Sequence, residues 1–285
     1  MSEPKFGPGG NSESFYAQGN KSTRQAPAWV KAFGLDAYEY QCGNGVTGSD
    51  ENFLRVGEEA RKHGISLSLH APYFISLSGV DPEKRRKSVD YIRQSVHAAE
   101  LLGADLIVIH TGSAAKISRA EAMNYARETL SLALSEIDTP VTFGLETMGK
   151  INQLGTLEEV LELCKLSPRL APVVDFGHLN ARGLGHVFVT PDDYAKVFGA
   201  VGDCLGEEKA RFLHCHFSKI EYTAGGEKRH LTFTDSLYGP EFEPLAEVIA
   251  KNDLAPRIIC ESAGTMAEDA LAMKRLYQKA KESAS

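Results

Sequence analysis

Long apolar runs are missing from the sequence, and their absence excludes an integral membrane protein. Spanning a bilayer takes about 20 consecutive apolar residues, and no stretch of the chain approaches that length. Residues 1–20 are polar and glycine-rich, without the apolar segment of a signal peptide. We therefore expect a cytoplasmic protein with no membrane partner.

Paired cysteines are missing as well. The cysteines are scattered and form no Cys-x-x-Cys pair, the arrangement that structural zinc knuckles use. An odd number of dispersed cysteines also argues against a disulfide framework and is typical of a reducing compartment. The five residues are Cys42, Cys164, Cys204, Cys215 and Cys260.

The chain has no excess of positive charge. It contains 31 Lys and Arg residues against 38 Asp and Glu residues, a formal net charge of −7, which does not favour a polyanionic partner such as nucleic acid. Bound divalent cations, however, reverse the sign of the local potential where carboxylates hold them. The net charge alone therefore leaves a nucleic-acid partner open.

Strand-like and helix-like patterns alternate along the 285 residues. Strands are expected at residues 4–7, 37–41, 66–70, 105–110, 142–146, 172–175, 211–216 and 257–261. Helices are expected at residues 25–33, 50–63, 82–102, 118–137, 156–164, 191–201, 242–252 and 266–282. Eight such units predict an α/β protein with a single domain over residues 1–285, a (β/α)8 TIM barrel with its site at the C-terminal rim.

A doubly wound open sheet is the main alternative to this barrel. Such sheets bind nucleotides through a Gly-x-Gly-x-x-Gly motif after the first strand. Residues 6–10 instead read Phe-Gly-Pro-Gly-Gly, which lacks the spacing, and Pro8 removes a backbone amide that a phosphate cradle would use. The barrel is therefore preferred.

Six strand-like segments stop on a residue that can bind a metal ion. In a closed parallel barrel the last inward side chain of each strand points to one axial position above the rim. Histidine, glutamate and aspartate meeting there form a ligand set typical of zinc, manganese or iron. Burying these groups without a cation is costly, so the pattern predicts a metal site. The six residues are His70, His110, Glu146, Asp175, His214 and Glu261.

Further candidate ligands lie near the same rim. His178 and His230 lie on loops that leave the strands. His216 shares a strand face with His214, so one of the two is expected to bind metal and the other to support it. Glu146 lies in the middle of the set, and its two oxygens could bridge two ions as in two-metal hydrolases.

Six motifs between about residues 65 and 270 resemble, in order and spacing, the endonuclease IV family of apurinic/apyrimidinic endonucleases, within the xylose-isomerase-like superfamily. The motifs are His70-Ala71-Pro72-Tyr73, Val108-Ile109-His110-Thr111-Gly112, Leu145-Glu146-Thr147-Met148-Gly149, Asp175-Phe176-Gly177-His178, His214-Cys215-His216-Phe217-Ser218-Lys219 and Cys260-Glu261-Ser262. In that family a TIM barrel with three zinc ions hydrolyses DNA on the 5′ side of an abasic nucleotide in base excision repair. A hydroxide that bridges two ions attacks the phosphorus, and the remaining cation stabilises the departing 3′-oxygen.

The resemblance implies a role for each matched residue. The first zinc would be held by His70, His110 and Glu146, the second by Glu146, Asp175, His214 and Glu261, and the third by His178 and His230. Tyr73 falls where the family places a DNA-contacting tyrosine, and Glu146 is the implied catalytic residue. The implied cofactor is two or three Zn²⁺ ions, with Mn²⁺ as the other metal to consider, and the implied partner is abasic-site duplex DNA.

The third zinc site departs from the family pattern. The family has Asp-Arg-His where this chain reads Lys228-Arg229-His230, and a lysine cannot replace the anionic ligand. Three hypotheses stay open: the third ion is absent, His216 or Glu227 supplies the missing ligand, or the Lys228 ammonium itself takes the cationic role near the leaving oxygen.

The second loop also departs from the family pattern. The family inserts arginine, glutamine and bulky side chains from this loop into DNA, whereas residues 41–50 here contain no basic or aromatic residue. Because phosphate contacts supply most of the affinity for DNA, basic residues elsewhere on the rim would have to serve instead. The candidates are Lys150, Arg182, Lys219, Lys228 and Arg229.

Two other functions compete with DNA cleavage. Sugar isomerases and epimerases of the same superfamily use a Glu-Asp-His-Glu quartet around one Mn²⁺ or similar ion, which Glu146, Asp175, His214 and Glu261 could supply to a small sugar or sugar phosphate. The histidines at 70, 110, 178 and 230 are surplus to that chemistry. A barrel that keeps its metal site but binds a ligand without turnover is the third interpretation.

Overall fold

The computed structural model describes residues 2–284 and places eight parallel strands in one sheet. The strands are β1 Lys5–Pro8, β2 Ala37–Gln41, β3 Ser66–His70, β4 Leu106–His110, β5 Thr142–Glu146, β6 Leu170–Asp175, β7 His214–Phe217 and β10 Arg257–Cys260. Their order in the sheet is β1-β10-β7-β6-β5-β4-β3-β2. A parallel bridge between Gly9 and Glu39 brings β1 beside β2, with the Gly10 amide 3.0 Å from the Glu39 carbonyl oxygen. The predicted (β/α)8 barrel is confirmed.

Helices connect the strands and surround the barrel. They are α1 Glu13–Ala17, α2 Ala26–Ala32, α3 Asp50–His63, α4 Pro82–Leu102, α5 Arg119–Glu136, α6 Leu157–Cys164, α7 Phe176–Arg182, α8 Pro191–Leu205, α9 Glu207–Arg211, α10 Glu243–Lys251 and α11 Met266–Ala284. The Ser118 hydroxyl and the Glu121 carboxylate form a capping box at the start of α5. Within residues 2–284, no helix is long and apolar enough to cross a membrane.

Two helices lie where the sequence predicted other structure. α7 occupies part of the expected loop after β6, because the Asp175 carboxylate accepts a hydrogen bond from the His178 amide at 2.7 Å and starts the helix directly at the strand end. α9 ends at Arg211, the first residue assigned to strand β7 from the sequence, and Phe212 and Leu213 follow it outside any strand. That strand therefore begins at His214 and not at residue 211, a shift with consequences for the metal ligands.

The long loop after β7 contains an antiparallel hairpin of β8 Ile220–Thr223 and β9 Gly226–His230. Two backbone hydrogen bonds join the hairpin to the loop after β5. The Ile151 amide donates to the Gly225 carbonyl at 3.1 Å, and the Glu227 amide donates to the Gly149 carbonyl at 3.1 Å. These hydrogen bonds place β9 over the barrel mouth, at the end of the barrel where β5 stops.

Gly7 lies at the tightest approach between β1 and β2. A Cβ atom built on it would stand 1.8 Å from the Ala37 carbonyl oxygen, so any side chain forces the two strands apart. We expect Gly7→Ala to lower the free energy of unfolding by about 3 kcal/mol or more, measured by urea denaturation. Gly199→Ala is the matched control. It adds a methyl group in α8 with no atom within 4 Å, so it should be neutral or stabilising by about 1 kcal/mol.

Candidate metal centre

The ends of three neighbouring strands form the first ligand group. β3, β4 and β5 end at His70, His110 and Glu146, and sheet register places His110 directly beside Glu146. Nε2 of His110 and Nε2 of His70 lie 3.0 and 3.5 Å from Glu146 Oε2. Nδ1 of His70 is 2.8 Å from the Ala71 carbonyl oxygen. Because a carbonyl oxygen can only accept a hydrogen bond, the His70 proton lies on Nδ1, and Nε2 is left to bind a cation.

The second ligand group shares Glu146 with the first. It consists of Glu146, Asp175, His216 and Glu261, whose ligand atoms lie within 4.8 Å of one another. Nδ1 of His216 is 2.9 Å from Glu146 Oε1 and 3.5 Å from Glu261 Oε1. Glu146 therefore turns one oxygen toward each group, the arrangement of a bridging carboxylate.

The third ligand group consists of His178, Glu227 and His230. Nε2 of His178 lies 3.5 Å from Glu227 Oε2, and Nε2 of His230 lies 4.0 Å from Glu227 Oε1. Nδ1 of His178 is 2.9 Å from the Thr147 carbonyl oxygen, so again the other ring nitrogen is the one available to a cation.

A bulge in the hairpin turns Glu227 toward the third group. Glu227 and His230 are three positions apart, and a regular strand would place them on opposite faces. The pairing shifts between Glu221 and Tyr222 and leaves Lys228 as an extra residue in β9, which restores both ligands to one side. Glu227 thus supplies the carboxylate that the sequence lacks at position 228.

Lys228 takes no part in the third group. Its side chain is half exposed, and its ammonium lies 2.5 Å from Glu221 Oε1 on the outer side of the hairpin. This position does not support the hypothesis that the Lys228 ammonium takes the place of a metal ion. Of the open hypotheses, the geometry favours Glu227 as the substitute ligand.

Glu227→Gln is expected to reduce tightly held zinc from three ions to two, because the amide removes the charge of the group's one carboxylate. Lys228→Ala is the matched control and should leave three ions. Zinc per protein can be measured by mass spectrometry after gel filtration. Retention of all three ions by the Glu227 variant would rule out this ligand assignment.

The structure does not place His214, the residue expected to bind the second ion, in the second ligand group; it lies with Glu39 and His216 in a fourth group of possible ligands. Because β7 begins at His214, sheet register pairs His216 with Asp175 at the strand end, while His214 pairs with Val173, two residues deeper. Both ring nitrogens of His214 are also engaged. Nδ1 accepts from Arg257 at 2.9 Å, and Nε2 lies 3.0 Å from Glu39 Oε2. His216, expected to play a supporting part, takes the ligand position.

Glu39 is a site residue that the sequence reasoning missed. It is fully buried in the middle of β2, between Tyr38 and Tyr40, and faces the barrel interior beside His214 and His216. Ligands were expected at strand ends, and β2 ends on Gln41. The available signal was an acidic residue inside an otherwise uncharged strand, since buried carboxylates are seldom found without a partner.

Burial and opposite charges compete over the protonation of these groups. Burial would raise the pKa of Glu146, but His216, His110 and His70 hold that pKa well below its usual range. Burial would lower the pKa of His70 and His178, but neighbouring carboxylates raise each pKa to about 9. Burial raises the pKa of Asp175, with Glu261 and Glu146 adding to the effect. Without a metal ion, protonated histidines therefore balance the negative charge of the buried carboxylates.

Unsatisfied oxygens show that a cation fits the centre. Glu146 Oε2 and Asp175 Oδ2 are buried and form no hydrogen bond with any of residues 2–284. The His110 nitrogen lies 3.0 Å from Glu146 Oε2 but off the hydrogen-bond direction. Apart from the hydrogen bond between His216 Nδ1 and Glu146 Oε1, these ligand atoms converge without satisfying one another, which is the expected arrangement of metal ligands. Nitrogen and oxygen donors in this mixture suit zinc or manganese.

A cavity of about 450 Å³ opens beside the centre, walled by Tyr73, His230, Glu261 and the loop after β2. The Tyr73 ring stacks on His110 with centroids 5.5 Å apart. Gly43 permits this position, because a Cβ there would stand 2.2 Å from the Tyr73 ring. The volume is in the range of small-ligand sites.

Most of the basic rim residues proposed for phosphate contacts are engaged within the protein. Arg182 donates to four backbone carbonyls, those of residues 148, 150, 151 and 153. Lys219 is buried and bonds to the Asp235 carbonyl and to Glu241. Arg229, like Lys228, pairs with Glu221. Lys150 is exposed at the rim.

Comparison with known proteins agrees with this architecture. The family model of the xylose isomerase-like TIM barrel matches residues 27–278. The chain belongs to that family. Within it, the chain is 28% identical over 253 residues to an uncharacterized protein of Methanocaldococcus jannaschii, covering 88% of this chain and 90% of that protein. It is 27% identical over 214 residues to "Probable endonuclease 4" of Mycoplasma pneumoniae, with 71% of each chain covered.

Solved structures with this fold include enzymes with different reactions. Endonuclease IV from Thermus thermophilus superposes with a TM-score of 0.68 at 20% identity, covering 99% of this chain and 100% of that one. A D-tagatose 3-epimerase-like protein superposes with a TM-score of 0.67 at 21% identity, covering 98% of both chains. At these identities the likeness establishes the barrel and leaves the reaction of this family member to be argued from its site.

Proposed function

We propose that this protein is a metal-dependent phosphodiesterase of the endonuclease IV type that cleaves DNA on the 5′ side of abasic nucleotides. Residues 2–284 contain four groups of possible metal ligands, and the observation that carries the proposal is that three of them lie at one barrel mouth, two sharing Glu146. A sugar isomerase needs one such group. A phosphodiester reaction uses several cations, because both the attacking and the departing oxygen carry developing charge.

The residues around the centre suit this reaction. Ions held there would polarise a phosphoryl oxygen and supply an acidic water, the chemistry that divalent metals contribute to hydrolysis. Glu146 orients the first two groups relative to each other through its two oxygens. Tyr73 and the loop after β2 wall a cavity of about 450 Å³, a volume that accommodates a sugar without its base. The curated relatives named as probable endonuclease 4 support the same reaction.

The proposal is tested with a duplex that carries one tetrahydrofuran abasic analogue. With added zinc, we expect a single cut 5′ to the analogue, and none in the same duplex with an intact nucleotide. Chelation should abolish the cut, and zinc should restore it. Fully metal-loaded protein that leaves the abasic duplex intact would refute the proposal.

A ketose epimerase or isomerase is the second candidate. Glu146, Asp175, His216 and Glu261 form the required quartet, now with His216 in the position first given to His214. Two observations favour it. Most of the basic side chains at the rim are engaged within the protein, and the loop after β2 lines the cavity with the uncharged residues Gln41, Asn44 and Thr47. Incubating the manganese-loaded protein with a panel of ketoses and sugar phosphates tests this candidate. Three bound zinc ions favour the nuclease, and one manganese ion favours the isomerase.

A further inference from the structure

A chain of buried polar side chains lies below the second ligand group, and the proposed reaction does not use it. It runs from Arg257 on β10 through His214 on β7 to Glu39 on β2, and ends at His216. Glu39 and His216 are fully buried, and His214 is 4% exposed. Buried polar chains of this length are stable only when each member has a partner of the right kind.

The direction of the first two contacts follows from the chemistry of arginine. A guanidinium group only donates, so the contact of 2.9 Å between Arg257 Nε and His214 Nδ1 makes Nδ1 an acceptor. The proton of a neutral His214 is then on Nε2, which donates to Glu39 Oε2 at 3.0 Å. Arg257 is held in place by Ser66 at 2.9 Å and by Asp105 at 2.7 Å.

The Glu39 carboxylate also contacts His216. Its Oε2 also accepts from the Ser68 hydroxyl at 2.8 Å, which fixes the carboxylate on its far side. Its Oε1 lies 3.1 Å from His216 Nε2, in contact although not aligned with the N–H bond. Nδ1 of His216 also faces a carboxylate and is hydrogen-bonded to Glu146 Oε1 at 2.9 Å. A cation bound by Glu146, Asp175 and Glu261 would take the place of the proton on Nδ1, and the one remaining ring proton would then lie on Nε2, facing Glu39.

We propose that Glu39 is a positioning residue for the metal centre, which fixes the ring and tautomer of His216 through the Arg257–His214–Glu39 chain. The inference rests on the metal centre of the proposed function but not on its substrate. Carboxylates that hold a ligand histidine in this way raise metal affinity about 10–100-fold. Glu39 lies in the middle of β2 and not at its end, so we expect it to affect metal binding through His216.

Glu39→Gln is the decisive variant. An amide has one accepting and one donating end, whereas Glu39 meets His214 and Ser68 at one oxygen and His216 at the other. Because Arg257 fixes the His214 tautomer, the donating end of the amide faces Nε2 of His216 and favours a proton on Nδ1. We expect one zinc ion to bind about 10–100-fold more weakly and the other two to bind as before. Competition with a chromophoric zinc chelator measures each affinity.

Nuclear magnetic resonance of protein labelled with ¹⁵N-histidine gives a readout that a general loss of packing would not produce. In the zinc-loaded protein we expect His216 to carry its proton on Nε2, and in zinc-loaded Glu39→Gln this signal should be lost or move to Nδ1. The His214 signal should keep its Nε2 proton in both. His216→Gln removes the signal and thereby assigns it.

Two further variants complete the test. Tyr40→Phe changes the neighbouring residue of β2, whose hydroxyl contacts Asn52, and should leave all zinc affinities unchanged. Ser68→Ala keeps the carboxylate and removes one hydrogen bond, so it should weaken the same ion by less than Glu39→Gln does and serves if Glu39→Gln does not fold. Unchanged zinc affinity in both Glu39→Gln and Ser68→Ala, or equal weakening of all three ions, would overturn the inference. Wild-type protein that binds no zinc would instead refute the metal centre, and inactivity on abasic DNA alone would refute only the substrate.

Discussion

Glu146→Gln is expected to lower cleavage of the abasic duplex by on the order of 10³-fold. One of its oxygens belongs to the group with His70 and His110, and the other to the group with His216. An amide keeps the shape but replaces one accepting atom by a donor and removes the charge that both groups share. The buried imidazoles then repel each other without the carboxylate between them. Turnover and zinc content, measured on the same preparation, should fall together from three ions to one.

The matched control is Glu136→Gln on the outer face of α5. This carboxylate pairs with Arg86 and Arg93 at the surface, where ion pairs contribute little to stability. The variant should keep full activity and three zinc ions. If Glu146→Gln retained every measured activity while Glu136→Gln behaved as expected, a barrel that binds without turnover would become the better interpretation.

The parts of the site that follow strand ends could be predicted from the sequence. His70, His110, Glu146 and Asp175 are each the last residue of a strand. In a parallel barrel all strand ends lie at one mouth, so convergence needs only the strand assignment and not the details of packing. Glu261 follows the last residue of β10 and takes its place by the same rule.

Two features of the site could not be predicted from the sequence: the register of β7 and the bulge in β9. Choosing between His214 and His216 required knowing the register of β7, and that strand begins three residues later than the sequence-based boundary, after α9 and the turn that follows it. Glu227 reaches the third group only because one extra residue in β9 reverses its face. Bulges leave no period in a single sequence, so the sequence could offer Glu227 only as one of several open hypotheses for the third group.

Removing the metal ions should make the stability of the protein fall as the pH rises from 7 to 9. Neighbouring carboxylates, working against burial, raise the pKa of His70 and of His178 to about 9. Each histidine has a pKa of about 6.5 when unfolded. Such a group gives its full stabilisation below about pH 6.5, and the stabilisation is lost as the pH rises through about 9. With chelator present, we expect the melting temperature to drop by roughly 5–10 °C over that interval.

Zinc should reverse this pH dependence, because it replaces the imidazolium protons as the partner of the buried carboxylates. Each ion bound only by the folded state adds about 4 kcal/mol when its concentration is a thousandfold above the dissociation constant. Alkaline pH strengthens zinc binding, since protons leave His70 and His178 when the metal enters. Melting curves at pH 7, 8 and 9 with chelator and with zinc should therefore diverge as pH increases. Parallel curves would mean that the histidines gather over the barrel mouth without a cation to hold, and the metal centre would have to be abandoned.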